Sequence, residues 1–499
     1  MQSKHRIILS LFLGAALLSG CTATVPEQYA EVGDYPVIYP DYRNITIPYN
    51  IAPLNMAYEM EGKGFVTELK VDELSLVMKG KQTDWDIKKW QNFLASAKGK
   101  SVAVNVYAQT DKGWVKYRPI KWRVTEDPID PYISYRIIAP SYVTYEDLSI
   151  RQRELGTFDE QMIYNNMLLS TDKDGQCINC HSYKNYKTDN MQFHARQHKG
   201  GTLLVTPDEV KKINLKTDST ISAGVYPAWH PTHNFIAYSI NDTGQSFHTK
   251  KNNKIEVQDL KSDLILYDID QNEVCFIEHD TLEWEVFPAW APDGKTLYYC
   301  SAHMEIQDYS QREREIIDRY KEFQYNIYRK SFDPETKTFG PSELVLDAKA
   351  MGKSATFPRL SPDGRYLLFG MGEYGCFHIW HKDADLYLID LETMQLRNVK
   401  EVNSSDVESY HAWSSNGRWM LFTSRRGDGG YTHLYMAYFD RRGKAHKPFI
   451  LPQRDPYFYN DYYKSYNVPE FMVEPVTITP QEFARYLDVD AQSVNFRGK

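Results

Sequence analysis

The feature that most constrains the fold is a short motif that recurs four times in the second half of the chain. Each copy begins with aromatic and apolar residues around a Pro or His, and three of the four then continue into a Pro-Asp-Gly or Asn-Gly turn. The copies begin at Val225, Val286, Thr356 and Ser409, and their anchor residues Trp229, Trp290, Leu360 and Trp413 are 61, 70 and 53 residues apart. Self-similar units at this spacing predict the blades of a β-propeller.

The residues inside each copy indicate strands. Pro-Asp-Gly and Asn-Gly are turn formers, and the almost uninterrupted apolar run after each turn is typical of a strand buried between stacked sheets. Further strand-like segments that end in acidic residues lie between the copies, at 264–270, 326–333, 386–390 and 433–440. Residues 201–216 and the strands after Phe449 can add to the four clear copies, which would give five or six blades in total. The alternative to a propeller is an irregular pair of β-sandwiches.

A second motif, C-x-x-C-H, stands at Cys177, Cys180 and His181. In an exported protein this string predicts covalent attachment of one c-type haem, with a thioether bond to each cysteine and His181 as the proximal iron ligand. A zinc knuckle would need a second ligand pair, whereas Cys275, Cys300 and Cys376 are scattered singly. A thioredoxin-like pair would need a βαβ context, and a plain structural turn is the remaining alternative.

The surroundings of this motif predict a short helical haem segment at 141–200, with helices near 145–155 and 161–169. A six-coordinate haem iron takes a second ligand, usually Met or His. Met191 and His194 are the candidate distal ligands, because residues three apart share one face of a helix, and His198 is a third.

The first residues carry an export signal. Lys4 and Arg6 precede the apolar run 7–18, and Cys21 follows Leu-Ser-Gly, which resembles a bacterial lipobox. This pattern predicts a signal peptide at 1–21, lipidation of Cys21 and a tether at 22–35; an ordinary signal peptide with an incidental cysteine is the alternative. No later segment approaches the length of a membrane-spanning helix.

Two further regions flank these motifs. Residues 36–140 contain period-2 apolar patterns, at 74–78 and 102–106, and helical spacing around Trp90, with Asp84 as a possible N-cap. They predict a β-sandwich-like domain with one helix. Residues 201–476 are assigned to the propeller and residues 477–499 to a C-terminal helix and tail, because Thr479 and Glu482 form a capping box around Pro480.

Charge and composition exclude some functions. The net charge of -8 offers no basic surface for nucleic acid. No convergent set of catalytic residues stands out, and His230, His233, His411 and Arg359 are interpreted as structural.

The repeats of the type Ala-Trp-x-Pro-Asp-Gly resemble those of TolB-like propellers. Together with the lipobox and the C-x-x-C-H motif, they resemble exported lipoproteins of Bacteroidetes-type bacteria with a single c-type haem motif. The resemblance implies a mainly β chain with six blades, haem attached at Cys177 and Cys180, and ligation by His181.

The expected function is that of a membrane-anchored monohaem cytochrome, which transfers single electrons between envelope redox proteins and uses the propeller for docking. The expected location is the outer membrane, facing the periplasm, because Thr22 is not an acidic retention signal. Two alternatives remain open: an envelope protein-binding or assembly propeller with a structural or sensory haem, and a haem-assisted oxidoreductase.

Overall fold

The computed structural model describes residues 23–139, 147–171, 173–249 and 255–498. The predicted signal peptide and Cys21 therefore lie outside the described residues. The N-terminal elements are β1 (Ala30–Glu31), β2 (Ile38–Tyr39), β3 (Ile45–Pro48), β4 (Ala57–Tyr58), β5 (Gly64–Val71), β6 (Leu74–Lys79), α1 (Ile87–Ser96), β7 (Ser101–Thr110), β8 (Gly113–Lys116) and β9 (Ile120–Thr125).

The first strands of the propeller follow in chain order. They are β10 (Tyr132–Ile138), β11 (Ser149–Glu154), β12 (Glu160–Asn165), β13 (Gln176–Lys184), β14 (Lys187–Gln197), β15 (Gly201–Val205), β16 (Val210–Asn214), β17 (Val225–Trp229), β18 (Phe235–Phe247), β19 (Ile255–Asp268), β20 (Glu273–Glu278), β21 (Glu283–Trp290) and β22 (Thr296–His303).

The later elements complete the chain. They are α2 (Arg312–Asp318), β23 (Asn326–Asp333), β24 (Thr338–Phe339), β25 (Glu343–Leu346), β26 (Ser354–Leu360), β27 (Tyr366–Gly372), β28 (Asp385–Asp390), β29 (Gln395–Asn398), β30 (Glu408–Trp413), β31 (Trp419–Ser424), β32 (His433–Tyr438), β33 (Phe449–Ile450), β34 (Ser465–Met472), α3 (Pro480–Asp488), β35 (Gln492–Ser493) and β36 (Asn495–Phe496).

The N-terminal strands form a seven-stranded sheet in the order β1-β8-β7-β5-β6, with β9 pairing β7 and β3, beside a β2–β4 ribbon. The predicted helix around Trp90 is confirmed as α1, which buries Trp90, Phe93 and Leu94. Its N-cap is Asp86 rather than Asp84, because the Asp86 side chain accepts the Lys89 backbone N–H at 2.9 Å.

The six following sheets are the blades of a propeller, which confirms the prediction of a mainly β chain with six blades. Blade 1 contains β34, β10, β11 and β12; blade 2 contains β13–β16 and β35; blade 3 contains β17–β20 and β36. Blade 4 contains β21–β25, blade 5 contains β26–β29 and blade 6 contains β30–β33. The innermost strands β34, β13, β17, β21, β26 and β30 contact one another in this order around a closed ring.

Ring closure uses both ends of the propeller sequence. Blade 1 takes its inner strand β34 from the C-terminal region and its outer strands β10–β12 from the N-terminal side. The tail then adds two short parallel strands, because β35 pairs β16 and β36 pairs β20. The capping box at Thr479 is confirmed at the start of α3, which packs Phe483 and Leu487 into the apolar contact between blades 1 and 2.

The expectation of helices at 141–200 is wrong. In the described part of the segment near 145–155, Ser149–Glu154 form β11, and the segment near 161–169 contains the end of β12 and a single 3-10 turn at Asn166–Leu168. The propeller therefore begins at β10 and includes the region assigned to a separate haem segment. The pairing of β11 with β10 and β12 outweighs the helix propensity of its residues. The polar side chains of β11 also find distant partners, because Gln152 Nε2 donates to the Val476 carbonyl at 2.9 Å.

The N-terminal sheet and the propeller share one apolar core, in which Trp122 and Val124 belong to the same buried cluster as Trp419 and Leu421 of blade 6. No helix in the described part of the chain is both long and apolar enough to cross a membrane.

Candidate functional site

Each innermost strand carries the same irregularity where it borders the central channel. One residue adopts a left-handed conformation with φ between 42° and 56°. It and the next residue together oppose a single aromatic residue on the neighbouring strand, which is the geometry of a β-bulge. The six left-handed residues are Cys180, Tyr226, Phe287, Phe357, Tyr410 and Val468.

The second half of the C-x-x-C-H motif is the bulge of blade 2. Cys180 and His181 oppose Phe193, as Tyr226 and Pro227 oppose Tyr238 in blade 3. Cys180 therefore stands where other blades place an aromatic or aliphatic residue, and His181 stands where four of them place proline. One signal in the sequence could have revealed this equivalence: Tyr410-His411 is followed by a small residue and then an aromatic one, as Cys180-His181 is.

His181 is buried without a hydrogen-bond partner. Neither ring nitrogen is paired among the described residues, although the Ser134 backbone approaches the ring. Burial, assisted by the Arg136 guanidinium, lowers the pKa of His181 to about 3, so the imidazole is neutral at physiological pH. In blade 6 the equivalent His411 differs, because its Nε2 lies 3.1 Å from the Leu368 carbonyl oxygen.

The two cysteines of the motif are buried and make no disulfide. Burial raises the pKa of the Cys180 thiol, while Arg196, the Tyr226 backbone N–H and Arg136 act in the opposite direction. Both guanidinium groups therefore lie close to the motif.

A cavity of about 610 Å³ opens beside this strand at one mouth of the channel. Cys177, Asn179 and His194 from blade 2 line it, together with Tyr226 of blade 3 and Tyr410 of blade 6. Asn179, Tyr226 and Tyr410 also border the narrow central space that contains Cys180 and His181. Cys177 thus borders a cavity whose volume is in the range of small-molecule and cofactor sites, whereas Cys180 borders the adjoining narrow space, which has a volume of about 40 Å³.

Met191 and His194 lie on opposite faces of β14, because residues three apart in a strand alternate. Met191 is fully buried in the apolar contact between blades 1 and 2. His194 lines the cavity, and its Nδ1 lies 3.0 Å from the Thr202 hydroxyl. His198 is not among the residues that line this cavity.

The protein offers little else that binds a metal directly. The described residues contain no cluster of three or more His, Cys, Asp and Glu side chains arranged around one point. A metal at His181 would therefore have to bring most of its own ligands, as the iron of a porphyrin does. The donor types fit that requirement, because β13 carries two free thiols and one imidazole without a partner among the described residues, and Cys177 lines the larger cavity.

His230 and Arg359, both interpreted as structural from the sequence, have structural contacts. His230 Nε2 lies 2.8 Å from the Gly294 carbonyl oxygen, and its Nδ1 accepts the backbone N–H of His233 at 3.0 Å. His230 therefore holds the turns of blades 3 and 4 together. Arg359 Nη2 pairs with Glu470 at 3.3 Å across blades 5 and 1, at the narrow part of the channel.

No family model matches the chain, and no curated protein matches it. Among solved structures it is similar to prolyl oligopeptidase B from Galerina marginata, with 8% identity and a TM-score of 0.36 over 70% of this chain and 43% of that one. It is also similar to the β-propeller domain of the Trilobed protease from Pyrococcus furiosus, with 11% identity and a TM-score of 0.33 over 71% of this chain and 91% of that one.

An oligogalacturonate lyase in complex with manganese has 13% identity and a TM-score of 0.29, with 69% of this chain and 87% of that one covered. The match to the prolyl oligopeptidase B structure spans less than half the length of that chain. The propeller assignment rests on the strand topology itself, since all three TM-scores are below 0.5.

Proposed function

We propose that this protein is a lipid-anchored propeller of the cell envelope that carries one covalently attached haem c at blade 2 and transfers single electrons. The observation that carries the proposal is the position of the C-x-x-C-H motif. The motif has two free thiols and a buried imidazole without a hydrogen-bond partner among the described residues, all on the innermost strand of blade 2. Cys177 lines a cavity of about 610 Å³, and Cys180 and His181 border the narrow space next to it.

Each residue of the site has a proposed role. Cys177 and Cys180 would hold the haem through thioether bonds, and the neutral His181 would bind the iron with a ring nitrogen that has no hydrogen-bond partner among the described residues. His194 is the better candidate for the second ligand, because it lines the same cavity as Cys177, whereas Met191 is packed between blades. When bound, the haem supplies reversible one-electron chemistry, with a potential that depends on its axial ligands and burial.

The surrounding residues would isolate the group from water. The apolar side chains of Ile138, Leu148 and Val225 line the cavity together with Tyr226 and Tyr410. The open mouth of this cavity, where Arg196 is exposed, is the proposed docking face for redox partners. The lipid at Cys21 would keep that face close to a membrane surface.

Haem attachment is tested by producing the full chain in a host with a working cytochrome maturation system. We expect the denatured wild type to stain for haem and to exceed the mass of the acylated chain by one haem. The Cys177→Ser, Cys180→Ser double variant should lose both properties. Cys275→Ser, which changes a cysteine far from the motif in blade 3, is the matched control and should retain both.

A colourless wild type with the mass of the acylated chain alone would overturn the haem proposal. A stained protein whose iron cannot be reduced and reoxidised reversibly would retain the haem but overturn electron transfer, in favour of a binding or assembly propeller with a structural haem.

A further inference from the structure

The cavity beside the C-x-x-C-H strand has an unusual charge distribution. Of the residues that the structure describes, 26 line it, and none of these is Asp or Glu. The whole chain has 66 acidic residues among 499, so a set of this size would hold about three by chance. Three cationic residues line it instead, namely Arg136, Arg196 and Lys216. In a protein with a net charge of -8, this cavity is locally positive.

Arg136 is the most constrained of the three. Its side chain is 7% exposed, and its Nη1 donates to the Ile178 carbonyl at 3.1 Å. Its Nε has no hydrogen-bond partner, and no ion pair involves Arg136 among the described residues. A buried guanidinium without an anion is costly, because a single carbonyl does not compensate for the loss of hydration.

Arg196 and Lys216 lie farther towards solvent. Arg196 stands on β14 opposite Cys177, and its side chain is exposed at the cavity mouth. Neither residue forms an ion pair within the described chain. Three cations thus border one cavity, from its buried wall to its rim, and none forms an ion pair with a carboxylate of the described residues.

We propose that this cavity is a binding site for the carboxylate groups of an anionic ligand, with Arg136 as the buried contact and Arg196 and Lys216 at the rim. Guanidinium groups match carboxylates in shape and form charge-assisted hydrogen bonds with them. The inference deepens the proposed function and rests on it for the identity of the ligand: in a haem protein the carboxylates are the two propionates. Without haem, a small polycarboxylate would supply the same chemistry.

The test uses the full chain produced without cytochrome maturation, so that no haem is attached. Protoporphyrin IX and its dimethyl ester are titrated into it at neutral pH and followed by tryptophan fluorescence. The two probes share a ring and differ in their carboxylates. We expect the diacid to bind at least about tenfold more tightly than the diester, as charge-assisted contacts require.

Arg136→Gln and Arg196→Gln should each reduce that ratio severalfold, while the diester affinity stays unchanged. Arg196→Gln keeps the test valid if the buried variant fails to fold, because Arg196 is exposed. Arg329→Gln is the matched control: this arginine is paired with Glu343 in blade 4, far from the cavity, and its loss should leave the ratio intact.

Citrate distinguishes the two sources of carboxylate. If neither porphyrin binds but citrate raises the melting temperature of the wild type and not of Arg196→Gln, the anion site stands and the porphyrin proposal falls. If haem attaches in a maturation-competent host but diacid and diester bind equally, the anion site is overturned and the haem proposal survives. No binding of any probe overturns the anion site.

Discussion

His181 and His411 occupy the same bulge position in two blades but differ in what their rings contact. The His411 ring is hydrogen-bonded to the Leu368 carbonyl, and this bond is a sufficient structural reason for its burial. His181 has no such bond, and it follows a cysteine rather than a tyrosine. The C-x-x-C-H string therefore combines a position that the propeller repeat already provides with two thiols that the repeat does not require.

Substitution tests the second iron ligand of the proposed haem. We predict that His194→Ala converts the reduced six-coordinate haem spectrum to a five-coordinate one, because His194 lines the cavity beside Cys177. Met191→Leu, which keeps a similar volume in the core between blades, should leave the spectrum unchanged. Absorption spectra of the ferrous proteins check both, and the reverse result would assign the iron to Met191.

A buried acid in blade 4 predicts a pH dependence of stability. Burial, with Asp263, Glu278 and Glu283 nearby, raises the pKa of Glu285 to about 9, and its Oε2 has no partner. Between pH 4.5 and 9 the folded state holds a proton that the unfolded state has lost, so this group lowers stability as pH rises. Below pH 4.5 both states hold the proton and the effect disappears.

Glu285→Gln should therefore stabilise the protein by up to about 3 kcal/mol at pH 7 and by little near pH 4.5. Urea unfolding at several pH values measures this difference. Glu343→Gln, a change at an exposed carboxylate, provides the baseline. A gain for Glu285→Gln that is independent of pH would contradict the assigned proton.

At the scale of single elements, local signals were reliable where an element's own residues determine its ends. The capping box at Thr479 and Glu482 and the apolar face around Trp90 correctly predicted α3 and α1, since both depend on contacts within a few residues. The strands β11–β14 were not recognised. In β11 the reason is visible, because Gln152 and Arg153 donate to the Val476 and Pro452 carbonyls, which lie far away in the sequence.

The N-cap of α3 makes a direct test at this scale. Thr479→Ala removes the side chain that accepts the Glu482 backbone N–H at 3.3 Å, and it should cost about 1 kcal/mol in the free energy of unfolding. Thr479→Ser keeps the hydroxyl and should cost little. Chemical denaturation of the three proteins measures both changes, and an equal loss for Ser and Ala would mean that the methyl group, not the cap, matters.

At the scale of the whole molecule, the ring depends on β34. This strand supplies the innermost position of blade 1 and contacts the inner strands of blades 2 and 6. The short strands β35 and β36 only extend the outer edges of blades 2 and 3. Closure and edge extension therefore come from different parts of the same C-terminal region.

Truncation separates the two contributions. A chain that ends at Val489 should still fold cooperatively, with a loss of about 2 kcal/mol because Val494 and Phe496 no longer pack against blades 2 and 3. A chain that ends at Lys464 lacks β34 and should show no cooperative thermal transition. Circular dichroism during heating distinguishes them, and cooperative unfolding of the shorter chain would refute the role of β34 in closure.

The repeats alone were sufficient to predict a propeller, because each blade is a local unit whose turns and apolar strand stand close together in the sequence, as in Val286–Leu297. The C-x-x-C-H motif could likewise be recognised from its spacing. Tertiary structure alone placed Cys180 and His181 on a channel-lining bulge, separated Met191 from His194, and brought Arg136 into the same cavity. These placements depend on strand pairing over long distances and on ring closure by β34, neither of which leaves a pattern in neighbouring residues.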